Sequence, residues 1–488
     1  MMKTPVKCDC GCEFEVPAEA RGAETPCPAC GKMSSVSQAA NPADSAAAPK
    51  KRRIPRWAWI FVGCFGVIGL LAVVSVTVAA IFISRWFAEA ERRLEEEVAI
   101  LDGTSEPSTP EELEAYYCLP AGVVDTTELW VEATASFDTD EFRREMELLD
   151  RIRAEDVPLV EPGQPWGQLA EARALLDKYR AAVDRLHEAA RLGGAARYES
   201  RFADGFVSDV GVVDKLRDAA RMLQLEAYVR AHEGDTDGAI RSIRTLLRLS
   251  RSLENTPQLV DQLVRIAVAR IAYDTLTALL PRLDAGDETL AELMRELSED
   301  DFDQGLVNGL LGERVLGLHA FDHPEAFADS ADVDAQKLQQ WSRNWMKRDR
   351  AFYLRHMRRL IDAAREPWPD KLDSARQLGD ELDQLLHRDN PLVKLQHVFS
   401  LLLLPAQNAV FNAAASATAL RNAAMVIVAV ERYRLLHGRP PESLAQLVPD
   451  FIDTIPRDPF DGQPLRYRVE PERYLIYSVG EDGRDDGG

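Results

Sequence analysis

The rhythm of apolar and polar positions changes along the chain, and each change predicts a different element. Between Arg56 and Arg85 lie 28 residues without a charge, including the run Ile60 to Val74. At 1.5 Å per residue this outruns the roughly 30 Å hydrocarbon thickness of a bilayer, and Trp57, Trp59 and Trp86 stand at its ends, where indoles favour the interface. A transmembrane helix over 57–84 is predicted. It is too long and too far from the amino terminus for a cleaved signal peptide. Lys50, Lys51, Arg52, Arg53 and Arg56 precede it, and Glu89, Glu91, Glu95, Glu96 and Glu97 follow it. The positive-inside bias therefore predicts a cytosolic amino terminus and an outer carboxyl terminus at the inner membrane.

After the span, a charged helix is expected to continue from Arg85 to about Leu101. Gly103 to Pro110 breaks it, and Thr109 is placed to cap the next helix at Pro110-Glu-Glu-Leu. Residues 121–137, with Val123-Val124 and Leu129-Trp130-Val131, suggest a short strand or an extended loop. From about Asp138 to Leu297 the apolar residues recur at three and four. Leu169, Ala172, Leu175, Leu176, Tyr179, Val183 and Leu186 form one stripe, and Leu216, Ala220, Leu223, Ala227 and Ala231 another. Two helices joined at His232-Glu-Gly-Asp235, with small residues at Ala227 and Ala239, resemble a single tetratricopeptide hairpin; the 34-residue period does not continue. Leu259–Leu280 is nearly apolar and predicted to be buried, with Asp261 and Arg265 spaced to pair. Gly312-Glu313-Arg314 suggests a buried ion pair, and Trp341, Trp345, Phe352 and Tyr353 suggest helix packing. Residues 395–420 form a second charge-free stretch, but Pro405, Gln407, Asn408 and Asn412 are costly in lipid. Helices buried in protein are expected there, and contact with the membrane is left open.

Cysteine placement adds a site. Five of the seven cysteines fall in the first 30 residues, as Cys8-Asp-Cys10-Gly-Cys12 and Cys27-Pro-Ala-Cys30-Gly. Two close-spaced pairs let two tight turns bring four thiolates onto one tetrahedral metal, and Gly11 and Gly31 relax the backbone behind each turn. A segment this short needs the metal to fold. Its spacing resembles the minimal bacterial zinc ribbon that precedes a membrane span. That resemblance implies structural Zn²⁺ on Cys8, Cys10, Cys27 and Cys30, with Cys12 an alternative to Cys10.

The last seventy residues carry a second resemblance. A helix through Tyr433 ends near Gly438, and Arg439, Pro441, Leu444, Pro456, Asp458, Pro459, Gly462 and Pro464 follow. Two alternating runs come next, Leu465-Tyr467-Val469 and Leu475-Tyr477-Val479, and then Ser478, Gly480, Asp482, Gly483, Gly487 and Gly488. This order resembles the globular end of the G-type major pseudopilin of type II secretion. The resemblance implies a small sheet on a helical spine and a Ca²⁺ loop, for which Asp482, Asp485 and Asp486 are the candidate ligands; a solvated acidic tail is the preferred expectation. The span here follows a cysteine-rich segment and holds no acid, so a reused contact module is expected rather than a polymerising subunit.

Charge and motif content narrow the function classes. The formal charge is −22, and residues 57–488 carry all of the acidic excess. Such a surface repels phosphate backbones, so no nucleic-acid partner is expected. No G-x-S-x-G, Walker loop or Gly-rich dinucleotide turn occurs. His319 and His323 lie four apart, but Pro324 and the missing acid beside His319 argue against a metal site. The chain is thus expected to be mainly α. Its expected divisions are a zinc ribbon (1–37), a basic linker (38–56), a span (57–84), an irregular helical domain (85–420) and an α+β pseudopilin-like domain (421–488). The expected role is a single-pass scaffold or interaction protein that contacts other envelope proteins. The alternatives are an exported hydrolase with dispersed acids and a sensor coupled to the ribbon.

Overall fold

The computed structural model describes residues 3–35 and 56–487, apart from residues 18, 20–21, 120, 138, 143, 146–159, 161, 208–210, 325–334, 388–392, 395, 405–406 and 472. The chain forms two compact units, Met1–Ala80 and Ile81–Gly488.

The first unit holds two antiparallel hairpins. β1 (Lys3–Lys7) pairs with β2 (Glu13–Pro17), Lys3 opposite Pro17, and β3 (Glu24–Pro26) pairs with β4 (Met33–Ser35), Glu24 opposite Ser35. Their core is small: Val6 and Val16, with Phe14 against them. The helix α1 (Arg56–Asp102) begins here and continues into the second unit.

Among the described residues, two helical stretches are long and apolar enough to cross a membrane. In Leu70–Asp102 none of the most apolar window is buried, whereas in Val398–His437 67% of it is buried within the protein. Leu71, Val76 and Phe82 each expose 60–70% of their surface.

In the second unit, α1 is followed by α2 (Pro110–Tyr116), whose first turn is capped by Thr109 Oγ1 accepting from the Glu112 N–H. Next comes α3 (Thr127–Ala135), where a strand or loop was expected. The local chemistry explains the difference: Asp125 accepts from both the N–H and the hydroxyl of Thr127, starting a helix, and Trp130, Ala133 and Thr134 then fall on one buried face. The stripes of the sequence become α4 (Leu169–Lys178), α5 (Arg180–Leu192), α6 (Gly211–His232), α7 (Thr236–Arg251), α8 (Leu259–Leu279) and α9 (Asp287–Ser298). α6 and α7 form the expected hairpin. Gly234 takes φ +74° in the turn, Asp235 accepts from the Gly238 N–H at 3.0 Å, and Ala227 and Ala239 are fully buried.

The remaining helices are α10 (Phe302–Asp322), α11 (Ala335–Ala364), α12 (Asp370–Leu386), α13 (Val398–Leu403) and α14 (Gln407–His437). α10 packs closely through its glycines: a Cβ on Gly312 would stand 1.4 Å from the Pro257 carbonyl oxygen, and one on Gly317 would stand 2.0 Å from the Tyr353 hydroxyl. Tyr353 is buried and packs on Phe321. The side chains of Trp341 and Trp345 lie outside the described residues.

α14 joins three apolar cores. Val410, Phe411, Ala414 and Ala415 pack with α10–α13; Ala417, Ala424 and Val428 pack with α3–α9; Val426, Ala429, Val430 and Tyr433 pack under Leu444, Leu447, Ile452 and Leu465. The domain boundary expected at residue 420 therefore falls within a continuous helix. Most of the charge-free stretch 395–420 is protein interior, with Val398 and Leu402 exposed. The C-terminal hairpin pairs β5 (Arg466–Val469) with β6 (Tyr474–Tyr477), Arg466 opposite Tyr477.

Two expected ion pairs are rearranged. Arg265 does not pair with Asp261. It donates to the Asp301 carbonyl at 2.9 Å and lies 3.6 Å from Asp300, while Asp261 is buried near the start of α8. Likewise Arg314 reaches back to Glu106 at 2.6 Å rather than to its neighbour Glu313. Glu313 and Arg314 are consecutive, and helical geometry turns adjacent residues about 100° apart, so such charges seldom face each other.

Candidate metal centre

The two hairpins of the first unit exist to make two turns. In the first, Gly11 donates to the Cys8 carbonyl at 2.8 Å and Cys8 to the Cys12 carbonyl at 3.0 Å; in the second, Gly31 donates to the Cys27 carbonyl and Cys27 to the Lys32 carbonyl, each at 2.9 Å. Gly11 and Gly31 hold φ of +88° and +71°, which only glycine adopts at little cost. Each turn presents two sulfurs on one side.

Cys8, Cys10, Cys27 and Cys30 all lie with their Sγ atoms within 4.8 Å of one another. Two of the cross-turn separations, Cys8 to Cys30 and Cys10 to Cys27, are 3.7 Å. Four sulfurs about 2.3 Å from a tetrahedral zinc stand roughly 3.8 Å apart. The donor set and its spacing therefore fit a structural metal. Cys12 lies outside this group of four, with its sulfur 4.0 Å from the Glu13 carbonyl.

The electrostatics agree with a cation-binding role. The Cys10 N–H draws the Cys8 thiol down to about 6, and the Ala29 N–H lowers Cys27. At Cys30 the Lys32 N–H also pulls downward, but the crowding sulfurs of Cys10, Cys8 and Cys27, with desolvation, push the thiol up to about 12. Thiolate is the ligating form, and a divalent cation at the centre turns this mutual repulsion into attraction.

Other sequence candidates are placed differently. His319 and His323 stand with ring centroids 4.3 Å apart, and among the described residues no third ligand joins them. Asp482, Asp485 and Asp486 do not converge as a cation site. Asp482 accepts from the Arg484 N–H, and Asp485 accepts from the Tyr477 hydroxyl and the Gly487 N–H. Asp458 is the organising carboxylate of the C-terminal turn. It is fully buried and accepts from the Val479 N–H at 2.8 Å, the Ser478 hydroxyl at 2.9 Å and the Phe460 N–H at 3.1 Å, with Arg466 at 3.2 Å.

One feature had little sequence signal. A cavity of about 630 Å³ between α5 and α7 is lined by Arg191, Arg241, Arg244 and Arg248, with Asp184, Glu188 and Asp237 among them. Arg244 and Arg248 converge on buried Glu296. His187 also lines the cavity, and its Nε2 meets Glu226 at 2.7 Å. Burial raises Glu226, but His187, Ser242 and Arg230 outweigh it and hold the carboxyl below its ordinary value. The spacing of Arg241, Arg244 and Arg248 on one face of α7 was visible in the sequence; their convergence with α5 was not.

Comparison with family models, curated proteins and solved structures finds no match to this chain.

Proposed function

We propose that the chain is a membrane-anchored interaction protein of the bacterial envelope, carrying a structural zinc knuckle at its amino terminus and a partner-binding helical body after one membrane span. The observation that carries this reading is the four-sulfur group at tetrahedral spacing ahead of a helix apolar enough to cross a bilayer. Within the body, carboxylates such as Glu296, Asp300 and Asp458 are taken up by internal partners.

In this proposal the ribbon and its zinc lie in the cytosol, as the basic residues before the span favour. The body lies outside the inner membrane. The C-terminal hairpin, with its Asp458 turn and its resemblance to the major pseudopilin, serves as the contact module toward neighbouring envelope proteins of a secretion-like assembly.

Cross-linking mass spectrometry of native membranes holding the full chain tests it. Cross-links from residues 438–487 to other envelope proteins are the expected result. A body that gives no such links, yet turns over a substrate in a broad hydrolase screen, refutes the assignment. Protease added to intact spheroplasts should cut the body and spare the ribbon.

A further inference from the structure

The cavity between α5 and α7 is walled by charges of two kinds. Some are engaged. Arg244 and Arg248 both donate to Glu296, Arg244 also lies 3.1 Å from Glu292, and Arg248 donates to the Ala190 carbonyl at 2.9 Å. His187 is held between Glu226 and the Thr245 hydroxyl, the latter at 2.8 Å. These groups brace the wall. Arg191 and Arg241, with the carboxylates of Asp184, Glu188 and Asp237, line the same cavity and are accessible. Among the described residues these five side chains make no ion pair or hydrogen bond.

Their spacing makes the open state informative. Glu188 and Arg191 are three apart on α5, and Asp237 and Arg241 are four apart on α7, the separations at which opposite charges on a helix meet. On α1 the same separations close, with Glu89 holding Arg92 at 2.6 Å and Arg93 at 2.7 Å. Around the cavity they stay apart. Asp184 and Glu188, four apart, also set two like charges on one face of α5, an unfavourable arrangement that a cation between them reverses.

Both signs thus stand unneutralised in one cavity of about 630 Å³, within the roughly 300–1,000 Å³ of small-molecule sites. A simple anion would meet carboxylates there, and a simple cation would meet guanidiniums. A ligand with both an ammonium and a carboxylate finds a complement for each end. Guanidinium forks match a carboxylate bidentately, and carboxylates accept from the ammonium donors. Ile240 and Ala190 give an apolar wall for what lies between the charged ends.

We propose that this cavity binds a zwitterionic ligand, a free amino acid or a short peptide with unblocked termini. Its carboxylate lies on Arg191 and Arg241, and its ammonium lies among Asp184, Glu188 and Asp237. The cavity belongs wholly to the second unit, so the proposal stands apart from the membrane anchor and from the contacts of the C-terminal hairpin.

The test is equilibrium dialysis of the purified full chain against a defined pool of tripeptides, read by mass spectrometry. Parallel pools hold free amino acids, N-acetylated tripeptides and C-amidated tripeptides. Retention of unblocked tripeptides, free amino acids or both is expected, and the pool retained identifies the source. Each blocked end removes a charge-assisted contact, so retention should fall by about tenfold or more in either blocked pool. Arg191→Gln with Arg241→Gln should bring the unblocked pool down to the level of the amidated one, and Glu188→Gln with Asp237→Asn down to the level of the acetylated one. The blocked pools decide the question on the unaltered chain even where a variant unfolds. No retention of either unblocked pool, or retention that ignores both blocking groups, overturns the proposal. Sensitivity to one end alone overturns it too, since it marks a site for a single charge. Folded variants that retain ligand as the parent does place it elsewhere and also overturn the proposal.

Discussion

Asp300 is the point at which the helical body is most exposed to a single change. Its side chain has no solvent access and sits among Tyr273, whose hydroxyl donates at 2.7 Å, Arg251 at 3.1 Å and Arg265 at 3.6 Å; its own carbonyl accepts from Arg421. Arg265 is also fully buried, with the Phe302 ring 4.8 Å from its guanidinium. Replacing Asp300→Asn keeps the shape and removes the charge, so no cavity confounds the result. Breaking a buried pair by neutralising one partner costs about 3–5 kcal/mol, because the other charge is left uncompensated. The second unit has about 400 residues, and at ~2.1 cal/mol/K per residue its unfolding entropy is about 0.85 kcal/mol/K. The expected fall in Tm is therefore about 4–6 °C, read by calorimetry on the full chain. Arg265→Met in the same background should recover part of the loss, since it withdraws the stranded charge. A shift below about 1 °C, or no recovery in the double variant, refutes the claim that this cluster is electrostatically closed.

Three further outcomes follow from the geometry. Metal analysis should find one zinc per chain; Cys10→Ser should lose it, whereas Cys12→Ser should keep it, and equal retention by both would show that the turn accepts either sulfur. Asp261 is buried without a partner among the described residues, and desolvation pushes its carboxyl up to about 7. Its folded value lies above its unfolded value near 3.9, so the folded state binds more protons between about pH 4 and 7. Stability should therefore fall as pH rises through that window and level off above it. Asp261→Asn should flatten the fall by about 2.5 kcal/mol in denaturant titrations compared between pH 5 and 8, and an unchanged slope counts against the assignment. Gly317→Ala places a methyl group against the Tyr353 hydroxyl, which donates to the Glu313 carbonyl at 2.6 Å. It should destabilise by about 1–3 kcal/mol, seen as a lower urea midpoint.

The sequence was most informative where the chemistry is local. The cysteine spacing, the Thr109 cap, the Gly234-Asp235 turn and the alternation on either side of Glu470 each depend on a few neighbouring residues, and the structure places those residues together. Legibility failed where the partner comes from far along the chain. Arg265 and Arg314 have acids close by in sequence, yet each finds its carboxylate elsewhere, at Asp300 and Glu106. Val123 to Val131 has the composition of a strand, but Asp125 and a buried face of Trp130, Ala133 and Thr134 favour a helix. The separation of Cys10 from Cys12 needed the direction of each sulfur, which spacing alone does not give. The boundary expected at 420 was drawn where the sequence begins to resemble a known module, and resemblance does not report which helix other cores borrow.

That borrowed helix constrains how the protein can be taken apart. α14 is a rod of roughly 46 Å at 1.5 Å per residue, and the three largest apolar cores of the body each lean on some part of it. A fragment cut at 421 would hold half a beam, and what remained upstream would have a trench in place of its keel. A pull applied to the terminal hairpin would be felt at the opposite end of the same beam, without any joint between to absorb it.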